Sequence, residues 1–294
     1  MQRFWGPLMS RLCDIVQARA IVEVGLRAGL QSERLLEYCR DHGTECHLID
    51  PVPPWNLEGL QALLAGNGHF HQAISLDALP GLVADLYLLD GDHNWYTVHR
   101  ELEIIRETAA SAGRSFPIVC LHDVAWPYGR RDLYYEPRRI PTSDRQPYAR
   151  RGMRIGHSEL LPSGGFNHRH DNALREGGPR NGVLTAVEDF LAETDEALRF
   201  TTVPVFHGLG VIWSPEALGE ERTRRLEELL ELPPHWRELM ELVERARLDA
   251  VVELRELTRL VGEHPGRVFS LSTRAFQRLT RPFRRPAALQ AVDD

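Results

Sequence analysis

Four short apolar runs, each stopping at a turn or a polar group, constrain the fold of this chain more than any other feature. Ala20 to Val24 runs into Gly25, Cys46 to Ile49 ends at Asp50, Leu86 to Leu89 ends at Asp90, and Pro117 to Leu121 ends at His122 and Asp123. The continuous run Leu86 to Leu89 has the pattern of a strand buried on both faces, and the other three read as strands as well. Apolar residues return at helical spacing after them, as Leu35 and Leu36 and then as Val98, Leu102 and Ile105. Strands alternating with helices predict an α/β fold with a doubly wound, mostly parallel sheet. A helix over Pro7 to Ala18 precedes the first strand, and a short strand around His69 to Ile74 precedes the turn at Asp77. Phe200 to Phe206 and Leu209 to Trp213, separated by His207 and Gly208, read as a β-hairpin that completes the sheet.

With 294 residues and 43% apolar content, the chain can bury one sizeable core and a small appended unit. Its formal net charge of -7 argues against a generally nucleic-acid-binding surface, although arginine dominates the central segment and the C-terminus. Cys13, Cys39, Cys46 and Cys120 lie far apart without CxxC spacing, which suits reduced thiols better than a disulfide frame or a zinc site. The N-terminus lacks the pattern of a signal peptide, and no apolar run approaches the roughly 18 residues that span a bilayer. A cytoplasmic protein is expected.

In open α/β sheets, ligands bind in the crevice beyond the carboxyl ends of the strands, so the residues that stop the apolar runs are the candidate site. In VEVGLRAG, Gly25 and Gly29 bracket a strand-to-helix turn where a missing Cβ lets a ligand approach the backbone, and Glu23 places a carboxylate just before it. Asp50, at the end of the second strand, is placed to accept both hydroxyls of a ribose. The turn lacks the GxGxxG fingerprint, which disfavours a nicotinamide dinucleotide. In LYLLDGDHNWYTVHREL, Asp90, Asp92 and His93 form an acidic loop, with the alternative that the aspartates cap the following helix.

Together, VEVGLRAG, the LID ending at Asp50, LLDGDH with Tyr96, and VCLHD at Asp123 resemble the class I S-adenosylmethionine-dependent methyltransferases. More narrowly, they are similar to the branch containing macrolide-sugar O-methyltransferases and cephalosporin hydroxylase-like proteins. The resemblance covers roughly residues 20 to 213. It implies a Rossmann-like methyltransferase fold in which Gly25 and Gly29 flank the methionine part of S-adenosyl-L-methionine and Glu23 supports that turn. It further implies that Asp50 holds the ribose, Ser75 and Asp77 lie near the adenine, and Asp90 borders the transferred methyl group. In that branch carboxylates after the fourth and fifth strands hold a divalent cation, and the matching positions are Asp90 and Asp123, with Asp92 a further candidate. A hard Mg²⁺ accepts such a set, since it takes oxygen ligands and keeps several waters, and it would ease removal of a hydroxyl proton. Here Asp123 is flanked by His122 and Val124 rather than by a second acid or amide. His93 and His122 are both candidate general bases, because imidazole titrates near neutral pH; His122 is favoured for its place beside Asp123.

The expected organisation is a domain over 1–215, carrying a lid insertion at about 125–180, and a helical extension over 216–294 with a basic tail. The insertion interleaves Arg130, Arg131, Arg150, Arg151 and other arginines with Trp126, Tyr128, Tyr134 and Tyr135. That mixture suits a bulky, partly anionic, glycosylated acceptor, or else most of the arginines are solvated or pair with the acidic C-terminal helices. His168 and His170 either extend the site or belong to a polar loop. The apolar stripe through Trp236, Met240, Val243, Ala250, Leu254 and Leu257 needs cover, from the lid or from a second copy in a homodimer. The tail from Arg267 to Arg285 combines arginines with Val268, Phe269, Leu271 and Phe276, a pattern compatible with an anionic membrane surface or with a packed helix. The expected activity is Mg²⁺-assisted O-methyl transfer to a sugar or glycosylated small molecule. A cephalosporin hydroxylase-like enzyme, a non-catalytic binding module and an RNA methyltransferase are the alternatives.

Overall fold

The computed structural model describes residues 1–53, 62–64 and 66–263, with the side chains of 259–263 left aside. Five strands, β1 (Ala20–Val24), β2 (Glu45–Ile49), β3 (Gly68–His71), β4 (Leu86–Leu89) and β5 (Ile118–His122), pair in parallel. The hairpin of β9 (Arg199–Val203) and β10 (Leu209–Trp213) adds antiparallel strands at the β5 edge, giving the order β3-β2-β1-β4-β5-β10-β9. The chain winds from β1 outward to β3 and then crosses back to β4. The crevice between the ends of β1 and β4 is therefore the topological switch point, where open α/β sheets bind ligands.

Helices cover both faces because every residue of β1 and β4 is buried and must find apolar neighbours on each side. On one face, α1 (Ser10–Val16) and α2 (Leu30–His42) bring Leu12, Val16, Leu35 and Leu36 onto Ile21, Leu48 and Leu88. On the other, α3 (Ser75–Ala78) is followed by α4 (Trp95–Ser111) and α5 (Val183–Glu193). These place Val98, Leu102, Val187 and Phe190 against Val22, Tyr87 and Val119. The alternation of β1 side chains between the two clusters is the two-residue period of a strand. Cys13, Cys39, Cys46 and Cys120 are buried free thiols.

The insertion after β5 is ordered, not a loose loop. It folds into a three-stranded antiparallel sheet of β6 (Leu133–Tyr134), β7 (Tyr148–Arg150) and β8 (Asp171–Ala173), in the order β6-β8-β7. Its root is a polar clamp. Asp132 accepts from the backbone N–H of Trp95 at 2.8 Å and of Gly182 at 2.6 Å, so one carboxylate ties the starts of α4 and α5 together. The fully buried Arg131 donates to the carbonyls of Ala173 and Ser158, both at 2.6 Å.

Beyond Trp213, α6 (Pro215–Leu218) and α7 (Glu220–Leu230) follow, and Leu226 and Leu230 enter the core beside α1. The long helix α8 (Pro234–Glu263) runs along the insertion, where Val251 and Val252 pack on the cluster of Tyr128, Leu133, Met153 and Phe166. The face that the insertion covers is not the expected stripe: Trp236, Val243, Ala250 and Leu254 are exposed, and of that stripe Met240 packs against the core. Among the described residues, no helix is long and apolar enough to cross a membrane. The basic tail from Arg267 lies outside the described residues.

Candidate active site

The carboxyl ends of β1, β2, β4 and β5 bring Glu23, Asp50, Asp90 and Asp123 along one edge of the sheet. Gly25 has φ of +86°, and a Cβ there would overlap the backbone of Asp90 and Gly91. Its glycine therefore lets the β1 turn lie directly on the β4 loop, a packing role in addition to any ligand it flanks. Gly29, at φ of +76°, is the N-cap of α2.

Below this turn lies a buried polar group that the protein itself leaves incomplete. Glu23 is 3% exposed, its Oε2 has no hydrogen-bond partner, and neither side-chain polar atom of Gln31 has one either. Burial raises the Glu23 pKa to about 8, although the neighbouring Ser32 hydroxyl opposes the shift. Unpaired buried polar atoms are costly, and a ligand carrying donors at the β1 turn would satisfy them. Asp50 accepts from Leu26 N–H through Oδ2 and from Val52 N–H through Oδ1, both at 2.8 Å. Two oxygens offer about four lone-pair sites, so capacity for two hydroxyls remains.

At the switch point, His122 Nδ1 lies 3.1 Å from Asp90 Oδ1 and 2.9 Å from Asp123 Oδ2. His93 Nε2 is 3.5 Å from the same Asp123 oxygen, and the Met1 amino group is 2.6 Å from Asp90 Oδ2. Burial disfavours charge on all three of His122, Asp90 and Asp123, but their mutual attraction is stronger. It raises His122 to about 10, lowers Asp123 to about 2 and holds Asp90 well below the usual carboxylate range. These carboxylates hold the proton on His122, and engaging them with a cation would lower its proton affinity, the condition under which it could serve as a base. Asp123 itself sits at φ of +59°, a left-handed conformation that Asp tolerates better than most residues.

Of the residues expected here, Asp90, His93, His122 and Asp123 come together. Asp92 does not join them: its carboxylate accepts from Thr97 Oγ1 at 3.3 Å. The set with ion-holding geometry is Asp90, His93 and Asp123, so a histidine stands where a third carboxylate was expected. Two carboxylates still fit a hard cation, which completes its shell with waters. Ser75 and Asp77 lie on α3, and Ser75 neighbours the buried Glu101 of α4. His168 is turned to the Gly165 carbonyl at 3.4 Å and His170 packs edge-on to Tyr135, so both belong to the insertion rather than to the carboxylate cluster.

The sequence marks Tyr128 and Tyr135 only as insertion aromatics and His207 only as a turn residue, yet all three lie beside the strand-end cluster. The Tyr128 ring stacks on His93 at 5.6 Å with a 4° interplanar angle, and Tyr135 lies 6.3 Å from the same ring. Both occur in the aromatic run after Trp126, but nothing in that run marks which ring faces His93. His207, in the β9–β10 turn, lies 6.4 Å from His122 and is held by the Trp126 carbonyl at 3.0 Å. The insertion arginines are largely committed to internal partners: Arg130 to Glu188, Arg139 to Glu136, Arg150 to Asp171, Arg175 to Glu159 and Arg180 to Asp144. The expectation of an anionic acceptor loses these carriers.

Residues 22–124 match the family model of a methyltransferase domain. The match spans β1 to β5 and every strand-end carboxylate described above. No curated protein matches the chain. Among solved structures, a Podospora anserina methyltransferase bound to S-adenosylhomocysteine is 16% identical with a TM-score of 0.43, over 69% of this chain and 75% of that one. An O-methyltransferase of neocarzinostatin biosynthesis, in complex with S-adenosylmethionine and 2-hydroxy-5-methyl naphthoic acid, is 15% identical with a TM-score of 0.40. It aligns over 70% of this chain, which spans about half (51%) of that one. The Burkholderia thailandensis 1,6-didemethyltoxoflavin-N1-methyltransferase is 13% identical with a TM-score of 0.41, over 71% of this chain and 79% of that one.

Proposed function

We propose that this chain is an S-adenosylmethionine-dependent O-methyltransferase that acts on a hydroxyl of a sugar or glycosylated small molecule. The observation that carries the reading is the incomplete polar group of Glu23 and Gln31 under the β1 turn, within the segment matched by the methyltransferase-domain model. The amino group of the methionine part supplies the donors that Glu23 lacks, Asp50 takes the ribose hydroxyls, and Ser75 and Asp77 border the adenine. The acceptor hydroxyl enters between Asp90 and Asp123 under Tyr128 and Tyr135. There the main task of the enzyme is to align the acceptor oxygen with the methyl carbon for in-line displacement at the sulfonium.

Asp90 and Asp123 are the proposed ligands of a Mg²⁺ ion, which when bound would orient the acceptor hydroxyl and ease loss of its proton. His122 is the proposed base, oriented through Nδ1 by those carboxylates, and His93 positions the acceptor. The homodimer belongs to the same proposal. Trp236, Leu239, Val243 and Leu254 lie exposed on α8, and sedimentation of the full chain as a monomer would remove it. Calorimetry with S-adenosylmethionine tests the core of the reading. Binding that Asp50→Ala weakens at least tenfold is the expected result, and no binding to the wild type would sink it.

A further inference from the structure

A second cluster of ligating side chains lies on the open face of the β2–β3 edge, remote from the strand-end carboxylates. The parallel register sets His47 beside His69 and Ile49 beside His71. With a side-chain period of two, Glu45, His47, His69 and His71 therefore share one face of the sheet. The His47 and His69 rings stack 4.8 Å apart, and the Nε2 atoms of both reach the same carboxylate oxygen. His47 Nε2 lies 3.3 Å and His69 Nε2 3.2 Å from Glu45 Oε1.

These separations carry a specific meaning. Ligands about 2.0–2.1 Å from a tetrahedral Zn²⁺ stand about 3.3 Å from one another. Each imidazole nitrogen sits near that spacing from the carboxylate oxygen, and the three ligating atoms, all within 4.8 Å of one another, form a set compatible with one ion. The third histidine completes the arrangement, because His47 Nδ1 lies 3.0 Å from His71 Nε2. Were an ion bound at His47 Nε2, the proton would lie on Nδ1 and donate to His71. That is how an outer-shell partner orients a metal-bound imidazole.

We propose that Glu45, His47 and His69 form a binding site for a borderline-soft divalent transition metal, Zn²⁺ in the first instance, with His71 as the outer partner of His47. Nitrogen donors favour such an ion over Mg²⁺. Three protein ligands leave a position for water, and the ion would staple β3, which among the described residues pairs with β2 alone, to its neighbour. The site does not depend on methyl transfer.

Titration of the EDTA-stripped full chain with Co²⁺, followed by visible absorption and then by Zn²⁺ competition, tests the assignment. One equivalent of Co²⁺ should give the strong bands of a tetrahedral site, and Zn²⁺ should abolish them. Glu45 and His69 are about half exposed, so Glu45→Gln and His69→Gln should fold normally while weakening uptake at least tenfold. Asp123→Asn should leave uptake unchanged. Absence of the bands in the wild type, or bands that survive His69→Gln, would overturn the proposal, as would bands lost with Asp123→Asn.

Discussion

Gly25 has no room for a side chain: its φ of +86° is unfavourable for any L-residue with a Cβ, and a Cβ would overlap the Asp90 and Gly91 backbone. Gly25→Ala should therefore destabilise the protein by at least about 3 kcal/mol, the sum of left-handed strain and a shifted loop, read from urea unfolding. Glu101 supplies a residue-scale prediction of opposite sign. It is 1% exposed, and burial raises its pKa to about 8 despite the adjacent Ser75 hydroxyl. The folded state holds this proton more tightly than the unfolded chain. Its contribution to stability is thus complete below about pH 4.5 and is lost as pH rises through about 8. Glu101→Gln should remove that loss, leaving the variant more stable than the wild type at pH 9 by about 2–4 kcal/mol but little changed at pH 4. Equal pH slopes in the two unfolding series would contradict the assignment. Asp50, Asp90 and Asp123 were legible in the sequence because each ends an apolar run. Glu101 was not, since a glutamate on an amphipathic helix has the signature of a solvated one and only the placement of α3 buries it.

The strands that alternate with helices were legible as elements, and β1, β4 and β10 begin and end where the apolar runs do. The insertion was not, for a physical reason. Its strands are two or three residues long, too short for any periodicity, and its stability rests on polar clamps between residues distant in sequence. Arg131 looked like one of many lid arginines, yet it is fully buried and donates to two backbone carbonyls. Arg131→Met keeps volume but strands both carbonyls, at roughly 1–3 kcal/mol each. Hydrogen exchange should then show amides in 133–181 exchanging at least tenfold faster, with β1 and β4 protected as before. Protection lost equally in both regions would mean that the insertion and the sheet unfold as one unit. Since Tyr128 and Leu133 join the same cluster as Val251 and Val252, α8 should loosen with the insertion.

The whole molecule couples the two halves of the proposed site through the sheet, because Glu23, Asp50, Asp90 and Asp123 come from four different strand ends. A ligand spanning these ends stabilises the native state by mass action, about 2.7 kcal/mol at 100 times its Kd. For a chain of this size each kcal/mol moves Tm by roughly 2–4 °C, so S-adenosylmethionine at that concentration should raise Tm by about 5–10 °C. The two carboxylate pairs should respond differently. Asp50 faces the β1 turn, where it braces Leu26 and Val52, whereas Asp123 faces His122 and His93. Asp50→Ala should lower the starting Tm slightly and cut the ligand-induced rise at the same concentration to about half or less. Asp123→Asn should retain most of that rise while losing methyl transfer and its stimulation by Mg²⁺. Were both variants to lose the rise equally, the cofactor and the acceptor would not occupy separate ends of the crevice, and the division of labour between β2 and β5 would fail.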